Sequence, residues 1–274
     1  MNRRQISVLK RPIEHKADMP RAVILAGTPA RMSAGSDWSP KAMLEIGGKP
    51  LLWHTLMHFA SYGLHDFVVG LGSKGDQIKR YLLDFYALNG DLSIDMSRGH
   101  ISQDTGSPMN WTFNLVDTGD GTGSGGRIKR LAPHLNETFV LATGEGVSNV
   151  DLDDLLAFHR SHGKLATVAA VQPAPRFGRL AFDGNQVINF AEKAEEGWVT
   201  SGIFVLEPRV LDYIDSDASV WENEPLEALA HDGELIAYKH VSFWQCLDTL
   251  RDRQTLERLW QTGSAPWKAG VPAR

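Results

Sequence analysis

Gly27, Arg31 and Lys41 form the first pattern in the chain that suggests chemistry. They lie within RAVILAGTPARMSAGSDWSPK, residues 21–41, where the apolar run 22–26 reads as a buried parallel strand broken by Gly27. The following residues are rich in Gly, Ser, Pro and Ala, with Arg31 among them and Lys41 at the far end. A strand ending in a small-residue loop suits phosphate. Backbone N–H groups can approach the oxygens there, and the cations neutralise charge. The loop is not a Walker A motif, since no Gly-Lys-Ser/Thr follows. It is not a dinucleotide fingerprint, since three spaced glycines are absent. An ordinary βα turn fits the same residues and stays open at this point.

Three more small-residue loops follow apolar runs: 72–75, 117–126 and 143–149. The second is the most glycine-dense and leads into a helix expected to start with Arg127-Ile-Lys-Arg130. His54 and His58 have the i, i+4 spacing of a metal pair, but Thr55 stands where a zinc-protease motif needs Glu, so packing is the expectation. Cys246 has no activating motif nearby and reads as a packed thiol.

The elements that must carry these loops follow from periodicity. Apolar spacing predicts helices over 51–62, 76–88 and 151–162, and strands over 67–71, 92–95, 111–116, 139–142 and 166–171. Residues 97–110 are polar and read as a surface excursion. Alternating strands and helices predict an α/β fold, a mostly parallel twisted sheet flanked by helices. In such sheets ligands sit at the carboxyl ends of strands, where all four loops fall. After Arg176 the texture changes. Strands are expected over 177–182, 186–190 and 199–206, and helices over 208–214, 222–230 and 247–260, giving a small C-terminal β/helical lobe. Residues 1–20 are a polar extension. The remainder, 21–274, reads as one domain, divided into a core over 21–171 and a lobe over 172–274.

Composition sets the outer bounds. The chain has 274 residues, 42% hydrophobic and 22% charged, an ordinary globular balance. A formal net charge of −5 gives nucleic-acid binding no electrostatic support. One cysteine excludes a disulfide framework within the chain and points to a reducing compartment. No apolar run reaches membrane-spanning length, and the N-terminus lacks an apolar signal region, so a cytoplasmic protein without membrane partners is expected.

Taken together, several segments carry a resemblance: Val23-Ile-Leu-Ala-Gly27, Pro40-Lys41, Glu45-Ile-Gly-Gly-Lys-Pro50 with Trp53-His54, Val116-Asp-Thr-Gly119, and Gly125-Gly-Arg127-Ile-Lys-Arg130. Further on come Phe190 with Glu192-Lys193, Phe243-Trp-Gln245, Asp248-Thr-Leu-Arg-Asp252 and Ala265-Pro-Trp-Lys268. In this order, over residues 21–268, the chain resembles a sugar-nucleotide pyrophosphorylase of the nucleoside-triphosphate transferase family, in the glucose-1-phosphate cytidylyltransferase branch. The resemblance implies a Rossmann-like nucleotidyltransferase fold. It implies transfer of a nucleotidyl group, with CTP the expected donor, to a sugar 1-phosphate. Mg²⁺ would be the cofactor, and the family commonly forms homo-oligomers.

The resemblance also assigns residues. Ala26, Gly27 and Arg31 belong to the triphosphate loop, and Lys41 neutralises phosphate charge. Thr118, Gly119 and Arg127 lie at the nucleotide. Glu192, Lys193 and Ser201 meet the sugar phosphate, and Glu145 and Asp248 hold the metal. As residues alone, Asp248 could also cap a helix, Glu145 could be a turn residue, and Glu192-Lys193 could be a surface ion pair.

The departures from the family pattern cluster at the site. The loop reads Leu25-Ala-Gly-Thr-Pro-Ala-Arg-Met32, against Leu-Ala-Gly-Gly-x-Gly-Thr-Arg-Leu. Pro29 has no N–H to offer a phosphate, and Thr28 and Ala30 resist positive φ. Glu145 replaces an Asp, and Ser201 an Asn. Two expectations follow: a working transferase, or a catalytically silent homologue that binds a nucleotide-sugar or sugar phosphate.

Overall fold

The computed structural model describes residues 19–28, 39–88, 91–104, 110–173, 179–191 and 197–268. Its centre is a seven-stranded sheet. In spatial order the strands are Leu235–His240, Ala166–Val171, Val199–Leu206, Phe139–Ala142, Arg21–Leu25, Asp66–Leu71 and Thr112–Asp117. Val199–Leu206 runs antiparallel to both neighbours, and the other pairings are parallel. The mostly parallel sheet anticipated from the alternation is therefore present.

Among the described residues, α1 (Leu51–Ser61), α2 (Gly75–Ala87), α3 (Ser124–Arg130), α4 (Leu152–His162) and α5 (Glu224–His231) flank it, and α6 (Leu250–Gln261) lies apart, in contact with the short strands Glu45–Ile46 and Trp244–Cys246. Parallel strands buried on both faces need apolar residues at every position. Arg21–Leu25 shows why its run is continuous. Ala22 and Ile24 pack with Leu52, Leu56, Ile78 and Leu155 of α1, α2 and α4. Val23 and Leu25 pack on the other side with Ile128 of α3, Trp221 and Leu229 of α5. A third cluster, beside α6, joins Ile46, Leu51 and Val147 to Leu247, Leu256 and Trp267.

From Arg21–Leu25 the chain steps outward to Asp66–Leu71 and Thr112–Asp117, then returns to Phe139–Ala142 on the opposite side. The loops after Leu25 and Ala142 thus open at the reversal point of the sheet, where wound sheets bind ligands.

Four features depart from the periodicity. The polar stretch after Asp95 includes a strand, His100–Asp104, paired with Asp91–Asp95. Gly146–Ser148 lies within a segment read as loop and pairs with Trp244–Cys246. Leu235–His240 adds a parallel edge strand. The helix expected from residue 208 is a 3₁₀ segment, Pro208–Tyr213. No described helix is long and apolar enough to cross a membrane.

Candidate active site

Three of the site residues named from sequence converge on one point. The Lys41 Nζ donates to the Asp248 carboxylate at 2.5 Å and also to Glu145. Lys41 is buried, whereas both carboxylates keep more than a third of their side-chain surface exposed. Burial disfavours the Lys41 charge, but the adjacent Glu145 and Asp248 outweigh it, and the ammonium is held above its usual range. Two carboxylates sharing one ammonium leave the cluster with one net negative charge.

Local backbone explains how each arrives. Lys41 opens a 3₁₀ turn behind Pro40, whose fixed φ sets the entry, and the Lys41 N–H donates to Thr28 O at 2.8 Å. That bond ties Lys41 to the residue after Gly27. Glu145 sits between two glycines with different duties. Gly144 has φ +73°, which favours glycine. Gly146 permits close pairing, because a Cβ there would fall 2.3 Å from Gln245 O. The Leu247 N–H returns to Glu145 O at 3.1 Å.

Asp248 is not the helix cap. Thr249 caps α6 in a capping box with Asp252. Asp252 accepts from the backbone N–H groups of Asp248 (3.2 Å) and Thr249 (2.9 Å), and from Gln245 Nε2 (2.9 Å). The Asp248 carboxylate is left to face Lys41. Asp252 is the positioning residue that a reading for ligands overlooks, although the Thr-x-x-Asp spacing is itself a cap signature.

Arg127 and Gly27 also meet. A Cβ on Gly27 would lie 1.4 Å from Arg127 Nη1, and one on Gly72 would lie 2.6 Å from it, so the guanidinium runs through a gap that two glycines leave open. Its Nε donates to Thr122 O at 3.0 Å. Among the described residues no carboxylate pairs with it. Burial lowers its pKa from the usual arginine range, with Asp120 opposing. A buried guanidinium without a counter-ion, at strand ends, is an anion-binding feature. Ala26, just ahead of it, is fixed by its N–H to Gly70 O at 2.9 Å.

Thr118 is fully buried, and its hydroxyl donates to Leu71 O at 2.6 Å, so its side chain braces the loop. Arg130 holds the same loop through Thr118 O (2.9 Å) and a two-point pair with Asp217. Gly119 has φ +82°, and a Cβ there would meet Arg130 at 2.5 Å.

Ser201 and Glu145 line one pocket with Trp244, Ser148, His54 and His58. Ser201 Oγ accepts from the Ile203 N–H at 3.1 Å, and Ser201 O accepts from Trp244 Nε1 at 3.0 Å. His54 is no metal ligand. Its Nε2 donates to Ile46 O (3.0 Å), so its Nδ1 accepts from Trp267 Nε1 (3.2 Å), and both ring nitrogens are used. His58 Nε2 is buried without a partner among the described residues. Burial pushes both imidazoles down to about 4.

Arg31, Glu192 and Lys193, with Pro29 and Ala30 of the altered loop, lie outside the described residues. The donor set of Glu145 and Asp248 fits a hard divalent cation. Both are oxygen ligands, both are partly exposed, and both already reach a single cationic nitrogen.

Comparison with known proteins gives the family. The family model described as "Nucleotidyl transferase" matches residues 21–240. The chain is 43% identical over 253 residues to the glucose-1-phosphate cytidylyltransferase of Salmonella typhi, covering 90% of this chain and 98% of that protein. It is 37% identical to the probable glucose-1-phosphate cytidylyltransferase of Bacillus subtilis, covering 90% and 99%. Among solved structures, HddC from Yersinia pseudotuberculosis superposes with a TM-score of 0.65 at 21% identity, covering 88% of this chain and all of that one. That likeness speaks to the fold.

Proposed function

This chain belongs to the nucleotidyl transferase family and is a sugar-1-phosphate nucleotidyltransferase, and we propose that it joins CTP to glucose 1-phosphate with release of pyrophosphate. The base and the sugar are taken from the names of the cytidylyltransferase relatives. An oxygen of the sugar phosphate attacks the α-phosphorus of CTP. The bond from that phosphorus to the β-phosphate oxygen breaks, and CDP-glucose and pyrophosphate result.

The observation that carries this reading is the Lys41–Glu145–Asp248 cluster, set at the sheet's reversal point beside Gly27 and Arg127. Arg127 and the backbone at Gly27 receive the triphosphate, with Ala26 anchoring the turn through its N–H to Gly70 O and Thr118 and Gly119 bracing it from behind. Lys41 neutralises charge at the reacting phosphates, and Arg31 joins it from the loop. Glu192 and Lys193 take the sugar phosphate, and Ser201 lies at the pocket beside Glu145. Residues 21–171 thus serve the nucleotide and 172–274 the sugar. Positioning and charge neutralisation are most of what such a reaction needs.

Glu145 and Asp248 would hold Mg²⁺, which supplies Lewis-acid stabilisation of the phosphate charge when bound. The working protein is proposed to be a homo-oligomer.

The test is pyrophosphate release from purified protein with Mg²⁺, glucose 1-phosphate and each nucleoside triphosphate in turn. CTP is expected to exceed the other nucleotides at least tenfold. Equal rates would overturn the choice of base, and no release with any hexose 1-phosphate would overturn the reading.

A further inference from the structure

The cation between the two acidic side chains in this fold is the protein's own. Lys41 Nζ reaches one oxygen on each of Glu145 and Asp248, the two side chains that the proposed function gives to the divalent ion. One ammonium within hydrogen-bond distance of both carboxylates occupies the ground that the ion needs. Lys41 is buried, so its charge has no ready alternative in water. Among the described residues its side-chain partners are these two carboxylates.

We infer that Lys41 is an internal counter-ion that holds Glu145 and Asp248 in register and must leave them before a divalent cation can bind. A phosphate is the natural alternative partner for an ammonium, and the Lys41 N–H is tied to Thr28 O, next to Gly27. An arriving triphosphate therefore draws Lys41 off the carboxylates and opens the cation position in one event. Lysine and ion compete for one pair of carboxylates, while ion and polyphosphate assist one another. By linkage the assistance is reciprocal. Lys41 is thus a positioning residue for the carboxylates in the free protein, in addition to its part at the phosphates. This rests on the metal role given to Glu145 and Asp248 above.

The order has a chemical use. A dication seated without nucleotide would present a charged centre to any stray phosphate. A lysine clamp keeps the carboxylates spaced and half of their charge balanced until the substrate that needs the ion is present.

Mn²⁺ binding, followed by the electron paramagnetic resonance signal of the free ion, tests this without reference to turnover. Wild type, Lys41→Met, Lys41→Arg and each with Asp248→Asn are compared, with and without inorganic tripolyphosphate. Lys41→Met is expected to bind Mn²⁺ alone at least tenfold more tightly than wild type, and Asp248→Asn should abolish the gain. Lys41→Arg, which keeps the charge, should bind as weakly as wild type, so a general loosening of the fold is distinguished. If wild type and Lys41→Met bind Mn²⁺ equally, and both lose it with Asp248→Asn, the competition is overturned while the metal site stands. If neither binds Mn²⁺ even with tripolyphosphate, the metal assignment itself is wrong, and the inference falls with it.

Discussion

The Arg127 guanidinium fills the volume that a side chain on Gly27 would require, with Nη1 only 1.4 Å from where a Cβ would stand. A glycine at the end of the first strand is therefore demanded by packing as well as by any ligand. Gly27→Ala must displace Arg127, and Gly72→Ala presses on the same group from the other side. Gly27→Ala is expected to lower kcat/KM for the nucleotide at least tenfold, mainly through KM. Combined with Arg127→Ala it should add little, because both changes remove one arrangement. Steady-state kinetics of the two single variants and the double variant check this. Fully additive losses would count against it.

Removing either carboxylate should slow turnover while leaving the fold in place. Asp248→Asn and Glu145→Gln keep shape and lose charge. Each is expected to reduce kcat about a hundredfold, the usual scale for one electrostatic stabiliser. Pyrophosphate release, with circular dichroism as a control for folding, measures it. Glu145→Asp is the informative companion, since it restores the shorter acid. Activity equal to or above the native chain would show that the ion site tolerates either length.

Asp252 should matter to stability and to activity together. Asp252→Ala removes half of the capping box of α6 and the acceptor for the Asp248 N–H. Loss of such a cap costs about 1 kcal/mol, and in a chain of this size that lowers Tm by roughly 2–4 °C. Because Asp248 is then less fixed, kcat should also fall. A fall in Tm with kcat unchanged would separate the cap from the site.

Acid should weaken the fold through α1. His54 and His58 are held neutral by burial at about 4, below the ordinary histidine range near 6.5. The unfolded chain takes up these protons first, so the stability is fully present above about pH 6.5 and is lost as pH falls towards 4. The shift amounts to roughly 3 kcal/mol for each ring at most. Urea denaturation at pH 7.5 and pH 5.0 should show a lower midpoint at the acid pH. His58→Leu, which deletes a ring nitrogen without a partner among the described residues, should shrink that difference.

The long apolar runs were readable because both faces of the sheet are covered. Ala166–Val171 and Val199–Leu206 have the very limits that their composition suggests. Lys41, Glu145 and Asp248 were nameable because each sits in a short, ordered motif, and only the coordinates bring their charged atoms together. The pairing of Gly146–Ser148 with Trp244–Cys246 escaped the sequence for a physical reason. Three-residue strands have too few positions for alternation, and their register is set by contacts almost a hundred residues apart. Leu235–His240 escaped for another, since an edge strand half open to water carries a broken apolar pattern. The capping role of Asp252 was spelled in Thr249-x-x-Asp252, but an acid next to a candidate ligand draws attention to ions before backbone.

The small ribbon joining Gly146–Ser148 to Trp244–Cys246 bears an acidic residue at each of its adjoining ends, Glu145 before one strand and Asp248 soon after the other. Those two acids come from distant parts of the polypeptide, yet they flank one hydrogen-bonded pair of strands. A chain cut after His240 would retain every strand of the large sheet and all the glycine loops, but would hold only one jaw of its clasp. The last strand and helix are thus what brings Asp248 to Lys41, however peripheral they look beside the sheet.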